Sequence, residues 1–367
     1  MRLTNVSGVP AAWTMGFRRD GRELLVVMAK ATYVLPPNGE EPAPALEQVP
    51  LVEADVFTAE PGLSAPLYET DFAHTKPACD VLLVGSAYAP AGRRIARTSV
   101  GMKVGGLVKE FAVVGPRTWR AAGVTVSADE PQPFESLRLT YDVAFGGTDR
   151  TREDEGQIRT FVANPVGAGY GAMGRSLNGK PLPNTEQIDH PVTTSDGSYV
   201  PMAFSPVGRN WTPRYKLAGT YNQEWIENTA PLWPADFDER YFQSAPVDQI
   251  IPYPQGGEDV ILKNLTPDGR RAFRLPSRRM PMTFIPHKGR DATREGVLDT
   301  IVIEPDHGRF TLTWRVTLPL GKSIFDVKET VVGEMPPAWH RARVNPDKPY
   351  YRGLGEAVAA LRSGTDT

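Results

Sequence analysis

The sequence predicts a mainly β fold, an irregular sandwich- or barrel-like architecture with long Pro/Gly-rich loops and few short helices. Three observations carry the prediction. Gly and Pro number 34 and 35 among 367 residues, well above the combined share of about 12% that is ordinary, and that many breakers cannot lie inside long helices. The clearest periodicity is two: Phe310, Leu312, Trp314, Val316 and Leu318 alternate with Arg309, Thr311, Thr313, Arg315 and Thr317, as side chains of a strand do. The other apolar runs are short and end in turn residues.

Taken in order, residues 23–35 are rich in Leu, Val, Thr and Tyr and stop at Pro36-Pro37-Asn38-Gly39, which predicts a strand. The acidic, Pro-rich piece 39–50 reads as a surface loop. Residues 80–86 have a continuous apolar centre, the signature of a strand covered on both faces. Residues 164–184 are rich in Gly and Pro without apolar periodicity, a long loop of the kind that is functional or pinned by side chains. From 201 to 254 prolines and aromatics interleave, so this stretch buries area through large rings. Residues 236–243 suit a short helix. Strands 297–303 and 309–318 form a hairpin through 304–308, and 323–332 adds a third strand to that C-terminal meander. Residues 354–361 form a two-turn helix ended by Ser363-Gly364. The predicted organisation is a β-rich region over 1–280, either single or two packed lobes, then the meander over 281–335 packed on it, then a tail over 336–367 that carries the helix.

Lys and Arg total 41 against 43 Asp and Glu, a net charge of −2, so the chain lacks the basic excess of most nucleic-acid binders. The single cysteine, Cys79, excludes an intramolecular disulfide and any multi-cysteine zinc site. Residues 1–13 lack the basic and apolar regions of a signal peptide. The longest apolar run, 24–29, is far short of the ~20 residues that span a bilayer. A cytoplasmic protein is expected.

The search for chemistry returns weak signals. Gly169-x-Gly171-x-x-Gly174 matches the dinucleotide fingerprint as a string, but Pro181 and Pro183 follow and no apolar helical face begins, so it reads as turns. His74, His190, His287, His307 and His340 are scattered, with no pair at helical ligand spacing. Cys79 precedes the apolar strand and reads as a buried, inert thiol. Asp236 and Asp238 near Trp225, Trp233 and Phe237 match a sugar-cleaving site of paired acids and aromatic platforms, with Glu186 as a further acid; Asp236 and Asp238 equally suit a helix N-terminus. Arg270, Arg271, Arg274, Arg278 and Arg279 either meet phosphate, as a nucleic-acid module would, or guard a strand edge. No catalytic, cofactor-binding or metal-binding residue is assigned.

A series of ordered strings says more. It runs through Lys30-Ala31-Thr32-Tyr33, Asp71-Phe72, Lys76-Pro77, Asp80, Gly85-Ser86-Ala87-Tyr88-Ala89-Pro90, Lys109 and Gly115-Pro116-Arg117-x-Trp119. It continues through Tyr141, Ala144-Phe145-Gly146-Gly147, Asn164-Pro165-Val166-Gly167, Leu182-Pro183-Asn184-x-Glu186, Trp211-x-x-Arg214, Gly219-Thr220-Tyr221 and Trp225. Pro234-x-Asp236-Phe237, Ala245-Pro246-x-Asp248-Gln249 and Leu275-Pro276 follow, then Asp299-Thr300 and Trp314-Arg315. With these strings the chain resembles a family of uncharacterised-domain proteins found with bacterial type VI secretion gene clusters. The resemblance implies an adaptor or chaperone that loads a toxic effector onto the spike of VgrG and PAAR proteins, with no catalysis, cofactor, nucleic acid or membrane. Candidate partner-binding residues are Trp211, Arg214, Trp225, Trp233, Tyr241 and Phe242, since large rings dominate interface energies. Among the strings, Lys30 is placed to pair with Asp71 or Asp80, and Arg117 and Arg214 to stack on Trp119 and Trp211. Asp71, Lys76 and Asp80 read as paired charges that fix long loops.

Overall fold

The computed structural model describes residues 1–122, 125–152, 154, 156–172, 177–321, 323–345, 350–351 and 353–363. Its centre is a six-stranded sheet in the order Ile250–Ile251, Cys79–Leu83, Val297–Glu304, Arg309–Pro319, Glu23–Val34, Ala11–Phe17. The two longest strands lie side by side, paired antiparallel from Arg309↔Val34 to Pro319↔Leu24. Both are rich in Val, Leu and Thr, which fit a pleated, packed surface. A five-stranded sheet (Thr185–Glu186, Leu107–Val114, Arg97–Val104, Asp259–Lys263, Arg270–Arg274) and a four-stranded one (Arg2–Asn5, Val327–Val332, Pro281–Pro286, Ala292–Glu295) pack against one face of it. Leu25, Val27, Ile301, Phe310 and Leu312 from the central sheet meet Val100, Met102, Phe111 and Leu262 from the second and Met282 and Phe284 from the third. The mainly β prediction holds, and because the sheets are open the architecture is sandwich-like rather than a barrel.

The hairpin 297–319 turns through Pro305–His307 and Gly308, whose φ of 61° suits a residue without Cβ. Three sequence expectations need correction. Residues 323–332 do not extend a meander: Ser323 caps a 3-10 turn over Ile324–Asp326, and Val327–Val332 pairs with Arg2–Asn5 and Pro281–Pro286 in the other layer. Val297–Glu304 lies parallel to Cys79–Leu83, and Arg309–Pro319 pairs with Glu23–Val34, so late strands form the middle of the early sheet. Residues 80–86 divide, because Gly85–Tyr88 leaves the sheet to pair with Ser136–Leu139. Residues 236–243 contain one 3-10 turn, Glu239–Phe242. The predicted C-terminal helix is present as Leu354–Ser363; Gly364 and Gly174 lie outside the described residues. No described helix is long and apolar enough to cross a membrane.

Candidate functional site

The face of the central sheet that points away from the core carries a buried polar row, beside an apolar patch of Leu24, Val26 and Met28 that packs on Leu51 and Phe72. Register lines up Asp80, Thr300, Thr313 and Lys30 as neighbours across four strands. All four are buried, because the loops before Cys79 and the proline- and aromatic-rich stretch before Ile250 lie over them. Lys30 Nζ pairs with Asp71 Oδ2 at 2.9 Å, and the same oxygen accepts the Val52 amide at 2.8 Å. Lys76 Nζ reaches Asp80 Oδ2 at 2.7 Å and Thr300 Oγ1 at 3.0 Å. Asp80 also accepts the amide and hydroxyl of Ser244 and the amide group of Gln243. Arg315 Nε meets Asp299 Oδ2 at 2.5 Å, and its Nη1 donates to the carbonyls of Asp71 and Ala73. Each sheet charge thus holds a covering loop. The void left among Lys30, Asp71, Lys76 and Thr300 is about 20 Å³, no larger than a water.

Around this row lie further paired charges. Lys109 Nζ bonds Asp248 and Gln249, and Gln249 donates to the carbonyls of Val81 and Phe204, tying the two sheets together. Glu69 accepts a fork from Arg214 at 2.6 and 2.5 Å and pairs with Arg209, which also grips Asp55. Glu186 is enclosed by Arg117 at 2.6 Å and Arg97 at 3.2 Å. Burial pulls the Lys76 ammonium down, but Asp80, Asp299 and Glu69 outweigh it and raise its pKa. Burial, with Asp299 and Asp80 beside it, pushes the Cys79 thiol well up, so the thiol is held protonated and unreactive.

The predicted stacking of Arg117 and Arg214 on indoles is corrected: Arg117 turns to Glu186, and Arg214 lies over the Tyr241 ring at 5.6 Å. A carboxylate beats a ring when both are in reach, because the charge-assisted fork is the stronger bond. Of the six candidate partner-binding residues, Trp211, Arg214 and Phe242 are buried. Trp211 meets Tyr141 edge-on, and Phe242 packs with Trp233 and Phe237. Trp225, Trp233 and Tyr241 are half-buried. Helix Gln223–Asn228, capped by Asn222, carries Trp225 against Tyr221 at 4.8 Å and leaves Tyr221 and Ile226 more than half exposed. Ile226 is an exposed apolar side chain that ring-counting alone overlooks.

Asp236 accepts the amide and hydroxyl of Thr220, and Asp238 caps the turn at Arg240 and bonds its guanidinium. They border a wide cleft of about 640 Å³ with Arg19, Glu239 and Arg240. Bonds from Thr220 hold the Asp236 carboxyl below its ordinary range, and bonds from Arg240 do the same for Asp238. Glu186 lies in a different part of the molecule, paired on the Leu107–Val114 edge. In the arginine run, Arg271 bonds Asp268 and the Pro36 carbonyl, Arg274 bonds Asp259, Arg278 the Ser7 carbonyl, and Arg279 Glu295. Gly169 ends the short strand Ala168–Gly169, paired with Phe145–Gly146 and set beside Pro183, and Gly171 lies in the loop after it beside Leu177. Their neighbours explain the Gly-Gly string: a Cβ on Gly146 would stand 2.1 Å from the Asn164 carbonyl. Among the described residues no group of three His, Cys, Asp or Glu is placed to hold a metal.

No curated protein and no solved structure matches the chain. The model of one family, described as an uncharacterized protein conserved in bacteria (DUF2169), matches residues 20–315. That span takes in the buried row from Lys30 to Arg315 with the loops that cover it, and the chain belongs to this family.

Proposed function

We propose that the chain is a non-catalytic adaptor or chaperone of type VI secretion, which binds a toxic effector and helps load it onto the VgrG/PAAR spike from the cytoplasm. The observation that carries this reading is the disposition of the strings behind the resemblance. Their charged members hold loops onto a sheet, while Tyr221, just before helix Gln223–Asn228, and Ile226 within it stand exposed beside the half-buried Trp225. A rigid scaffold with exposed rings suits binding by shape and apolar contact.

The test is co-purification with the effector encoded beside the gene. Wild type should retain the effector, and Tyr221→Ser with Ile226→Ser should lose most of it while the fold is unchanged. Failure of wild type to form a complex at micromolar concentration would sink the reading. The open cleft at Asp236 and Asp238 motivates the alternative, a carbohydrate-active hydrolase. Both carboxyls are held in their ionised form, whereas glycoside cleavage needs one kept protonated as the acid. Glycan hydrolysis lost in Asp236→Ala or Asp238→Ala would reverse the preference. A nucleic-acid role for the arginine run is disfavoured by the internal partners of Arg271, Arg274, Arg278 and Arg279, and steeply salt-dependent DNA binding would revive it.

A further inference from the structure

Strand Ala11–Phe17 forms one edge of the central sheet. Its ladder fixes which way each backbone group points. The Lys30 amide donates to the Pro10 carbonyl and the Arg18 amide to the Arg22 carbonyl. With the register Ala11↔Ala29 to Phe17↔Glu23, even-numbered residues of this strand bond inward. Ala11, Trp13 and Met15 therefore direct N–H and C=O outward, and among the described residues no hydrogen bond meets their amides. The Phe17 carbonyl, outward by the same parity, accepts Trp233 Nε1 at 3.0 Å.

The other edges of the three main sheets are guarded. Arg270–Arg274 is covered at Ala272, whose amide donates to Asn38 Oδ1 and whose carbonyl accepts the Gly39 amide. Ala292–Glu295 bears Arg294 and Glu295, Arg2–Asn5 is short and begins with Arg2, and the remaining two edges are two residues long. Ala11–Phe17 has seven residues, no charge and no proline, and exposes Trp13 by 38% and Phe17 by 46%. A long, uncharged open edge is a template for another strand.

We propose that this edge pairs antiparallel with the same edge of a second copy of the chain, about a twofold axis at Trp13. Trp13 then faces Trp13 and Ala11 faces Met15, so the outward groups from 11 to 15 all find partners, about six hydrogen bonds. The two indoles lie on one face as a cross-strand aromatic pair. Arg18 falls opposite Gly8 of the second copy and Arg19 opposite Ser7, so no like charges meet. An unrelated strand gains no charge partner from this neutral stretch, whereas a twofold copy is complementary by construction, and the contact closes on itself.

Sedimentation of the full chain at micromolar concentration should give twice the 40.3 kDa chain mass. Met15→Pro removes an outward N–H and leaves the inner ladder whole. Trp13→Lys sets two like charges side by side across the axis. Both variants should sediment as monomers with wild-type circular dichroism. Should Met15→Pro fail to fold, Trp13→Lys decides. A wild type that stays monomeric, or a dimer that survives Trp13→Lys, overturns the proposal; so does protection of the Ala11 and Met15 amides from hydrogen exchange only when a different protein is bound.

Discussion

The two faces of the central sheet are built by the same strands and held by opposite physics. On one face Phe310, Leu312 and Val316 meet the other sheets and need only shape and apolar area. On the other, Thr311, Thr313 and Arg315 are equally buried, yet what covers them is loop backbone, fixed by hydrogen bonds and ion pairs. Alternation of this kind ordinarily puts the polar face in water. Here the polar face anchors loops that no helix or strand supports. Apolar packing tolerates substitution by volume; a buried pair tolerates only the loss of both members together.

That contrast predicts an order of damage. Arg315→Ala leaves Asp299 buried without its cation and should cost about 3–5 kcal/mol, read as a lower urea midpoint. The double change Asp299→Leu with Arg315→Met should recover most of the loss, because it removes both charges. If the double variant is as unstable as the single one, the Arg315 bonds to the Asp71 and Ala73 carbonyls are the larger contribution. On the core face Leu312→Ala should cost about 2–5 kcal/mol, and no second substitution of charge type should rescue it.

A third change separates loop from sheet. The Gln48 side chain accepts the Thr32 amide at 2.8 Å and donates to the Thr32 and Ala45 carbonyls, continuing the ladder where strand Ala11–Phe17 has ended. Gln48→Ala should cost about 1–3 kcal/mol by leaving the Thr32 amide unpaired, while the Thr32 carbonyl keeps the Ala45 amide. Hydrogen exchange should rise at Thr32 and Val49 while core-face amides stay protected. Equal loosening of both faces would show that the loops and the sheet open together.

The apolar face was the legible half. Period two over 309–318, the run at 23–35 and the punctuation by Pro36-Pro37-Asn38-Gly39 are local signals, and the strands lie where they point. The Lys30–Asp71 pair was legible as one of two options, since a lysine inside an apolar strand demands a carboxylate. The partner of Arg214 was not: Glu69 stands 145 residues earlier, and no spacing links them. Strand pairing failed for the same reason. Val327–Val332 reads identically whether its neighbour is the preceding hairpin or Arg2–Asn5, because register is set by contacts remote in sequence. Alternation tells which face is polar, and the cover over that face is written in the loops, where composition carries no geometry.

The smallest effect tests the rim where the two regimes touch. His74 lies against Gly16 of the edge strand, Trp233 and Phe242, and its Nδ1 has no partner. Burial, with the Arg315 cation nearby, lowers its pKa below the ordinary 6.5. The unfolded chain then binds a proton at a higher pH than the fold does, so stability should fall as pH drops through 6.5 toward the folded value. The lowered carboxyls Asp149, Asp236 and Asp238 contribute at a separate, lower window, below 3.8. His74→Phe keeps a flat ring among aromatics and removes the titration, so its urea midpoint should change less than that of wild type between about pH 7 and about pH 5. Identical slopes in the two proteins would mean that the imidazole finds an acceptor when it protonates, and that the rim yields as a polar surface does rather than as a core.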